Sequence, residues 1–201
     1  MPRPPDPAKR QILLDQIREY VLRHGLAGLS LRPLARELGT SDRMLLYYFG
    51  TKERMVAEAL TVDEARPLPL IRDLLDAAGP PKNPAALRSF LEEIWRRFRA
   101  PAVRRTFPLY LELMAANVLH PGQYEPVTRD ALREWTELFT AVFADWGMPA
   151  SRAHTEAILV VDATFGLLMA PLANGRENQA DAAFHMLLDR LEPGWQTGPG
   201  D

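Results

Sequence analysis

Residues 30–49 read SLRPLARELGTSDRMLLYYF, and the punctuation of this stretch decides the fold of the N-terminal part. Ser30 stands where a hydroxyl caps a helix start. Leu31, Leu34, Ala35 and Leu38 then recur at the three- and four-residue spacing of one helical face. Gly39 ends that helix and Ser41 opens the next, which runs from Asp42 to about Phe49. Two short helices separated by Gly39-Thr40 predict a helix-turn-helix. Successive helical residues turn by about 100°, so, measured from Leu45, Phe49 lies at about 40° and Tyr48 at about 300°, both near the buried side. Arg43 and Tyr47 fall at about 160° and 200°, opposite the core, with Met44 and Leu46 flanking them. That outward face offers a guanidinium able to bond a guanine edge bidentately and a phenol able to reach a phosphate or stack.

Working outward, residues 7–24 predict a first helix with Ile12, Leu13, Ile17, Tyr20, Val21 and Leu22 on its apolar stripe and Gly25 as its stop. After Gly50, Thr51 caps a fourth helix that starts at Lys52-Glu53 and continues towards Ala78, with Pro67 and Pro69 kinking or breaking it. Gly79-Pro80-Pro81 is a loop, and Asn83-Pro84 is an N-cap and first-position pair. Further helices are expected at about 84–99, 101–119, 125–146, 150–172 and 178–191. Alternating β-branched runs are missing. The chain thus reads as all-α with about nine helices: a three-helix helix-turn-helix domain over 1–50, a helical domain over 51–192, and a flexible tail over 193–201.

Composition narrows the function. The chain has 201 residues, 47% of them apolar, enough to bury a sizeable core. It has no cysteine, which excludes a disulfide framework, a thiolate metal site and a cysteine nucleophile, and suits a reducing cytoplasm. The N-terminus, MPRPPDPAKR, lacks the apolar run of a signal peptide. The most membrane-like stretch, Ala157 to Ala173, is interrupted by Asp162 and Pro171 and reads as a buried helix, so no membrane partner is expected. Residues 1–60 hold 10 Lys/Arg against 7 Asp/Glu, and the remainder 14 against 19, a mildly basic head on an acidic body. His24, His120, His154 and His185 lie on separate elements without metal-ligand spacing, and no nucleophile elbow, P-loop or dinucleotide fingerprint is present. No catalytic residue, metal or cofactor is therefore expected.

The N-terminal residues carry a resemblance. The Gly25 stop, Ser30, Leu34-Ala35, the turn Leu38-Gly39-Thr40-Ser41, and Leu45 with Tyr47-Tyr48-Phe49 ahead of Thr51-Lys52-Glu53 resemble the TetR (tetracycline-repressor-like) family over roughly residues 10–60. The resemblance implies that the helix from Asp42 enters the major groove and that Ser30, Tyr47 and Lys52 contact phosphates. With Arg32, Ser41, Arg43, Met44 and Tyr48 these make up the expected DNA-facing set. Lys9 and Arg10 are candidates for gripping the flanking backbone. Two departures stand out: Leu46 replaces a common phosphate-contacting tyrosine, and Asp42 a common lysine. The implied function is a cytoplasmic transcriptional regulator, a repressor, that binds a palindromic double-stranded DNA operator as a homodimer and is released by a small, largely apolar effector.

The C-terminal part is read from its own pattern. Trp95, Phe98, Phe107, Tyr110, Met114, Trp135, Phe139 and Phe165 are candidates for lining an effector pocket, beside ordinary core packing. The last two helices carry more apolar surface than one domain edge needs. Ile158, Phe165, Leu168, Met169, Phe184, Leu187, Leu188 and Leu191 are the expected dimer interface. Two other readings stand beside this one: a helical adaptor of the same fold that does not bind DNA, and a small all-α enzyme.

Overall fold

In the computed structural model of the chain, residues 6–61 and 68–196 are described, apart from the side chains of 61, 68–72, 102 and 125–131. The described residues form eleven helical segments and no strand, so the all-α reading holds. They are α1 (Pro7–His24), α2 (Leu31–Glu37), α3 (Asp42–Phe49), α4 (Lys52–Thr61), α5 (Leu68–Ala78), α6 (Pro84–Phe98), α7 (Pro101–Arg104), α8 (Phe107–Leu119), α9 (Glu125–Asp145), α10 (Ala150–Asn174) and α11 (Glu177–Trp195). Their starts are fixed by local chemistry. Asp6 accepts from the Ala8 and Lys9 amides at α1, Ser41 from Met44 at α3, Thr51 from Arg54 at α4, and Asn83 from Ala86 at α6.

Prolines explain two departures from expectation. A single helix over 101–119 is not formed. Pro108 has no N–H for the Arg104 carbonyl and its ring would clash there, so α7 stops and α8 begins with Pro108 in its first turn. Pro171 and Pro193, by contrast, lie inside α10 and α11, which run on to Asn174 and Trp195. Trp195 is buried, its indole donates to Glu156 at 3.3 Å, and Arg152 donates to the Gly194 carbonyl at 2.8 Å. Residues 193–195 therefore form a packed helix end rather than a loose tail, while 197–201 lie outside the described residues. The fourth helix is described in two pieces, α4 and α5. The expected break at Pro67 falls outside the described residues.

The chain divides into two compact units, residues 1–66 with 105–130, and residues 67–104 with 131–201. The first unit takes in more than the helix-turn-helix. Leu13, Leu14, Ile17 and Val21 of α1 pack in one core with Leu34, Leu45, Phe49, Met55 and Val56, and Leu109 and Leu113 of α8 complete it. Ile12, expected on this stripe, is 58% exposed, and Leu14 takes the inward position instead. In the second unit α10 packs on α11 and α6 on α11. Of the described helices, α10 is long and apolar enough to cross a membrane by length and composition. It nevertheless buries Ala153, Ala157, Val160, Val161, Leu168 and Met169 inside the protein and exposes Asp162 at its middle.

Candidate nucleic-acid interface

The α2–α3 corner is set by backbone chemistry. Gly39 takes φ +63°, a left-handed turn that suits glycine. The Thr40 amide bonds back to Ala35 at 2.9 Å and the Gly39 amide to Arg36 at 3.3 Å, which satisfies the last carbonyls of α2. Ser41 then caps α3 at 3.2 Å. Leu34, Ala35, Leu45 and Phe49 are buried, so the opposite faces of α2 and α3 are turned outward.

Those outward faces carry the residues read from the sequence. Arg43 is exposed, Tyr47 is 45% exposed, and Arg32 is exposed on α2. Met44 is half-buried. Tyr48 packs partly against the core, its ring edge-on to Tyr47 with centroids 5.6 Å apart. Ser30 is exposed, but the cap expected of its hydroxyl is not made. The Ser30 carbonyl alone opens α2, accepting from Leu34 at 3.3 Å. Lys52 is partly committed, since its ammonium donates to the Leu29 carbonyl at 3.4 Å and lies 4.0 Å from Glu53. The Asp42 carboxylate accepts from the Arg43 amide at 2.9 Å, so it serves the N-terminus of its own helix.

The distribution of ion pairs sharpens the picture. Arg10 pairs with Glu58 and lies over the Phe49 ring, 5.1 Å from its centroid, so it ties α1 to α3 and α4 rather than reaching outward. Arg54 pairs with the same Glu58 at 2.8 Å, and Arg23 with Glu37 at 2.6 Å. Among the described residues Arg32, Arg36 and Arg43 have no acidic partner, and all three are exposed. Lys9 of α1 and Arg105 are likewise exposed without an acidic partner, and α2 and α3 contribute three of the unpaired cations of this unit, on the surface a polyanion would meet. Arg36 was not singled out from the sequence. Its spacing of four from Arg32 puts both on one face of α2, and that was the available signal.

The residues expected to line a pocket are distributed over both units. Phe107, Tyr110 and Met114 belong to the first. Trp95, Phe98, Trp135, Phe139 and Phe165 belong to the second. There Phe98, Trp135 and Phe139 form an aromatic series, with Phe98 and Trp135 centroids 5.4 Å apart and Trp135 and Phe139 6.3 Å apart. Trp95 stacks on Phe184 at 4.3 Å and donates its indole N–H to Asp181 at 2.7 Å. A separate open groove of about 660 Å³ lies between α6 and α11, lined by charged residues including Glu92, Arg96, Arg99, Asp181 and His185, with Trp95 at its edge. Of the expected interface, Leu168, Met169, Phe184 and Leu188 are buried within the protomer itself. Ile158 is exposed, and Phe165, Leu187 and Leu191 are half-buried. Leu159 is exposed as well, and so is Met186, which escaped the sequence reading of the interface.

Residues 13–59 match the family model described as bacterial regulatory proteins, tetR family. No curated protein and no solved structure gives a significant match. The matched segment runs from α1 through α2 and α3 into α4 and contains the capped corner, the outward Arg43 and Tyr47, and the unpaired arginines. Over residues 13–59, the segment that forms the helix-turn-helix, the chain is similar to bacterial regulatory proteins of the tetR family.

Proposed function

We propose that the protein is an effector-responsive repressor that binds a palindromic operator as a homodimer, α3 lying in the major groove. The observation that carries this reading is the trio Arg32, Arg36 and Arg43 on α2 and α3, exposed and with no ion-pair partner. Arg43 is assigned to a base edge, and Arg32 and Arg36, with Ser30, Tyr47 and the remaining donors of Lys52, to phosphates. Ser41, Met44 and Tyr48 are assigned to shaping and positioning α3. The domain division drawn from the sequence is revised accordingly, with α4 and α8 assigned to the DNA-reading unit.

Dimerisation is assigned to α10 and α11. It is supported by Ile158, Leu159 and Met186, which stay exposed on these helices in the single protomer, and by half-buried Phe165, Leu187 and Leu191 beside them. A dimer places two recognition helices on half-sites about 34–36 Å apart. Selection of duplexes from a random pool should return an inverted repeat with that spacing. Ile158→Glu with Met186→Glu should give a monomer by sedimentation and lose the repeat. Single half-sites selected by a wild-type monomer would contradict the dimer.

The effector is assigned to the second unit and is largely apolar, a reading supported by the Phe98, Trp135, Phe139 series. Effector and operator must weaken each other reciprocally. A compound that quenches tryptophan fluorescence without altering operator affinity would remove the regulatory role of that site. Location in the cytoplasm follows from regulation of DNA.

A further inference from the structure

We infer that Glu112 is a positioning residue for DNA recognition, a latch by which α8 fixes the loop between α1 and α2 and thereby the entry to α2. The inference rests on α2 and α3 being the DNA reader. Glu112 lies 86 residues beyond Leu26 in the chain. Its carboxylate accepts the Leu26 amide, and the Ala27 amide at 3.3 Å. No cation pairs with it among the described residues, so the backbone amides are what hold its charge.

The fit around this latch is close. Gly25 ends α1 with φ +72°, and a Cβ there would stand 2.7 Å and 2.9 Å from the two Glu112 carboxylate oxygens. The carboxylate occupies the space a Cβ would take, so glycine suits position 25 by its conformation and lets the Glu112 carboxylate stay on the Leu26 and Ala27 amides. Beneath the latch, Leu109 and Leu113 seat α8 in the same core as Leu13, Ile17 and Leu45. On the other side of the loop Lys52, at the start of α4, donates to the Leu29 carbonyl. Residues 25–30 are therefore held by α8 at one end and by α4 at the other. They lead directly into Ser30 and Arg32. A displacement of α8 along or across its axis pulls on the Leu26 and Ala27 amides and is delivered to the N-terminus of α2.

The test uses the full chain as Glu112→Ala and Glu112→Gln. Amide exchange at Leu26 and Ala27 should quicken by about 10–100-fold in the alanine variant, the range for hydrogen bonds to a charged acceptor. It should quicken less in the glutamine variant, which keeps one acceptor oxygen. Affinity for a duplex selected by the wild-type chain should fall about tenfold relative to a scrambled duplex in Glu112→Ala, with partial recovery in Glu112→Gln. A tie that merely stabilised the fold would weaken both duplexes alike, and that result would overturn the recognition role. Unchanged exchange at Leu26 and Ala27 would overturn the latch itself. A wild-type chain that bound no duplex would instead overturn the DNA-reading assignment, and the exchange arm would still report on the latch.

Discussion

The arginines of α2 and α3 and those of α6 are used differently. In the first unit, Arg32, Arg36 and Arg43 face solvent from α2 and α3 with no acid paired to their guanidinium groups. In the second unit, Arg88, Arg99 and Arg104 tie helices together. Arg88 of α6 bonds Asp189 at 2.8 Å and Glu192 at 3.1 Å on α11, and Glu92 at 3.0 Å on its own helix. Those carboxylates hold its pKa above the ordinary arginine value. Arg99 pairs with Asp181 at 2.5 Å, and Arg104 with Glu177. A neutralised cation contributes little field beyond its partner, whereas an unneutralised one attracts phosphate over a Debye length of about 10 Å. A chain with net charge −2 can thus still present unneutralised cations on α2 and α3.

The comparison can be broken first at the cores beneath it. Phe49→Ala empties the space between α1, α3 and α4 and should cost about 3–5 kcal/mol of stability, with DNA binding abolished as the corner loosens. Phe184→Ala removes the partner of Trp95 at a similar cost in the second unit. Urea denaturation followed by unit-specific amide exchange separates the two. Equal loss of protection in both units from either change would mean that they melt as one.

Base recognition comes next in size. Arg43→Ala should reduce operator affinity by about 1–3 kcal/mol and relax specificity at one base pair. Arg99→Ala, a cation of the second unit, should leave both unchanged. A binding titration across single-base operator variants at fixed salt distinguishes them, and unchanged specificity in Arg43→Ala would remove its role at a base edge.

The smaller effects concern pH and surface pairs. The Trp95 indole hydrogen bond, and then Arg99, hold the Asp181 carboxyl below its usual pKa despite partial burial. A depressed folded pKa means that this contribution is present above the unfolded value of about 4 and disappears as pH falls through the lower folded value. The denaturation midpoint should therefore decline in acid below about pH 4, and Asp181→Asn should flatten that decline. An identical acid profile in the variant would remove the assignment. Smallest of all, Arg133→Ala, which breaks an exposed pair with Glu137 one helical turn away, should change stability by about 0.3–0.5 kcal/mol.

Legibility in the sequence followed range. The helix starts at Ser41, Thr51 and Asn83 and the stops at Gly25 and Gly39 were readable, because each depends on residues within one turn. The outward direction of Arg43 and Tyr47 was readable from the helical period. The docking of α8 into the first unit was not, because nothing in residues 107–119 says which of several apolar faces Leu109 and Leu113 will meet. Glu112 looked like any surface acid, since its partners are main-chain amides 85 and 86 residues away. On α10 and α11 the period told that Leu168, Met169, Phe184 and Leu188 would be buried, but not whether by the protomer or by a second copy. Only Ile158 and the half-buried Phe165, Leu187 and Leu191 remain from that set as candidates for meeting a partner.

The central claim is that the unpaired arginines of α2 and α3 form the DNA-reading charge. Its most direct test is the salt dependence of duplex binding, measured by fluorescence anisotropy for the wild-type chain and for Arg32→Ala, Arg36→Ala, Arg43→Ala combined. Wild-type affinity should fall linearly on a log–log plot. The triple variant should give a slope shallower by about 0.9 for each phosphate that a protomer no longer neutralises. Equal slopes in the two proteins, or binding that ignores salt altogether, would contradict the account.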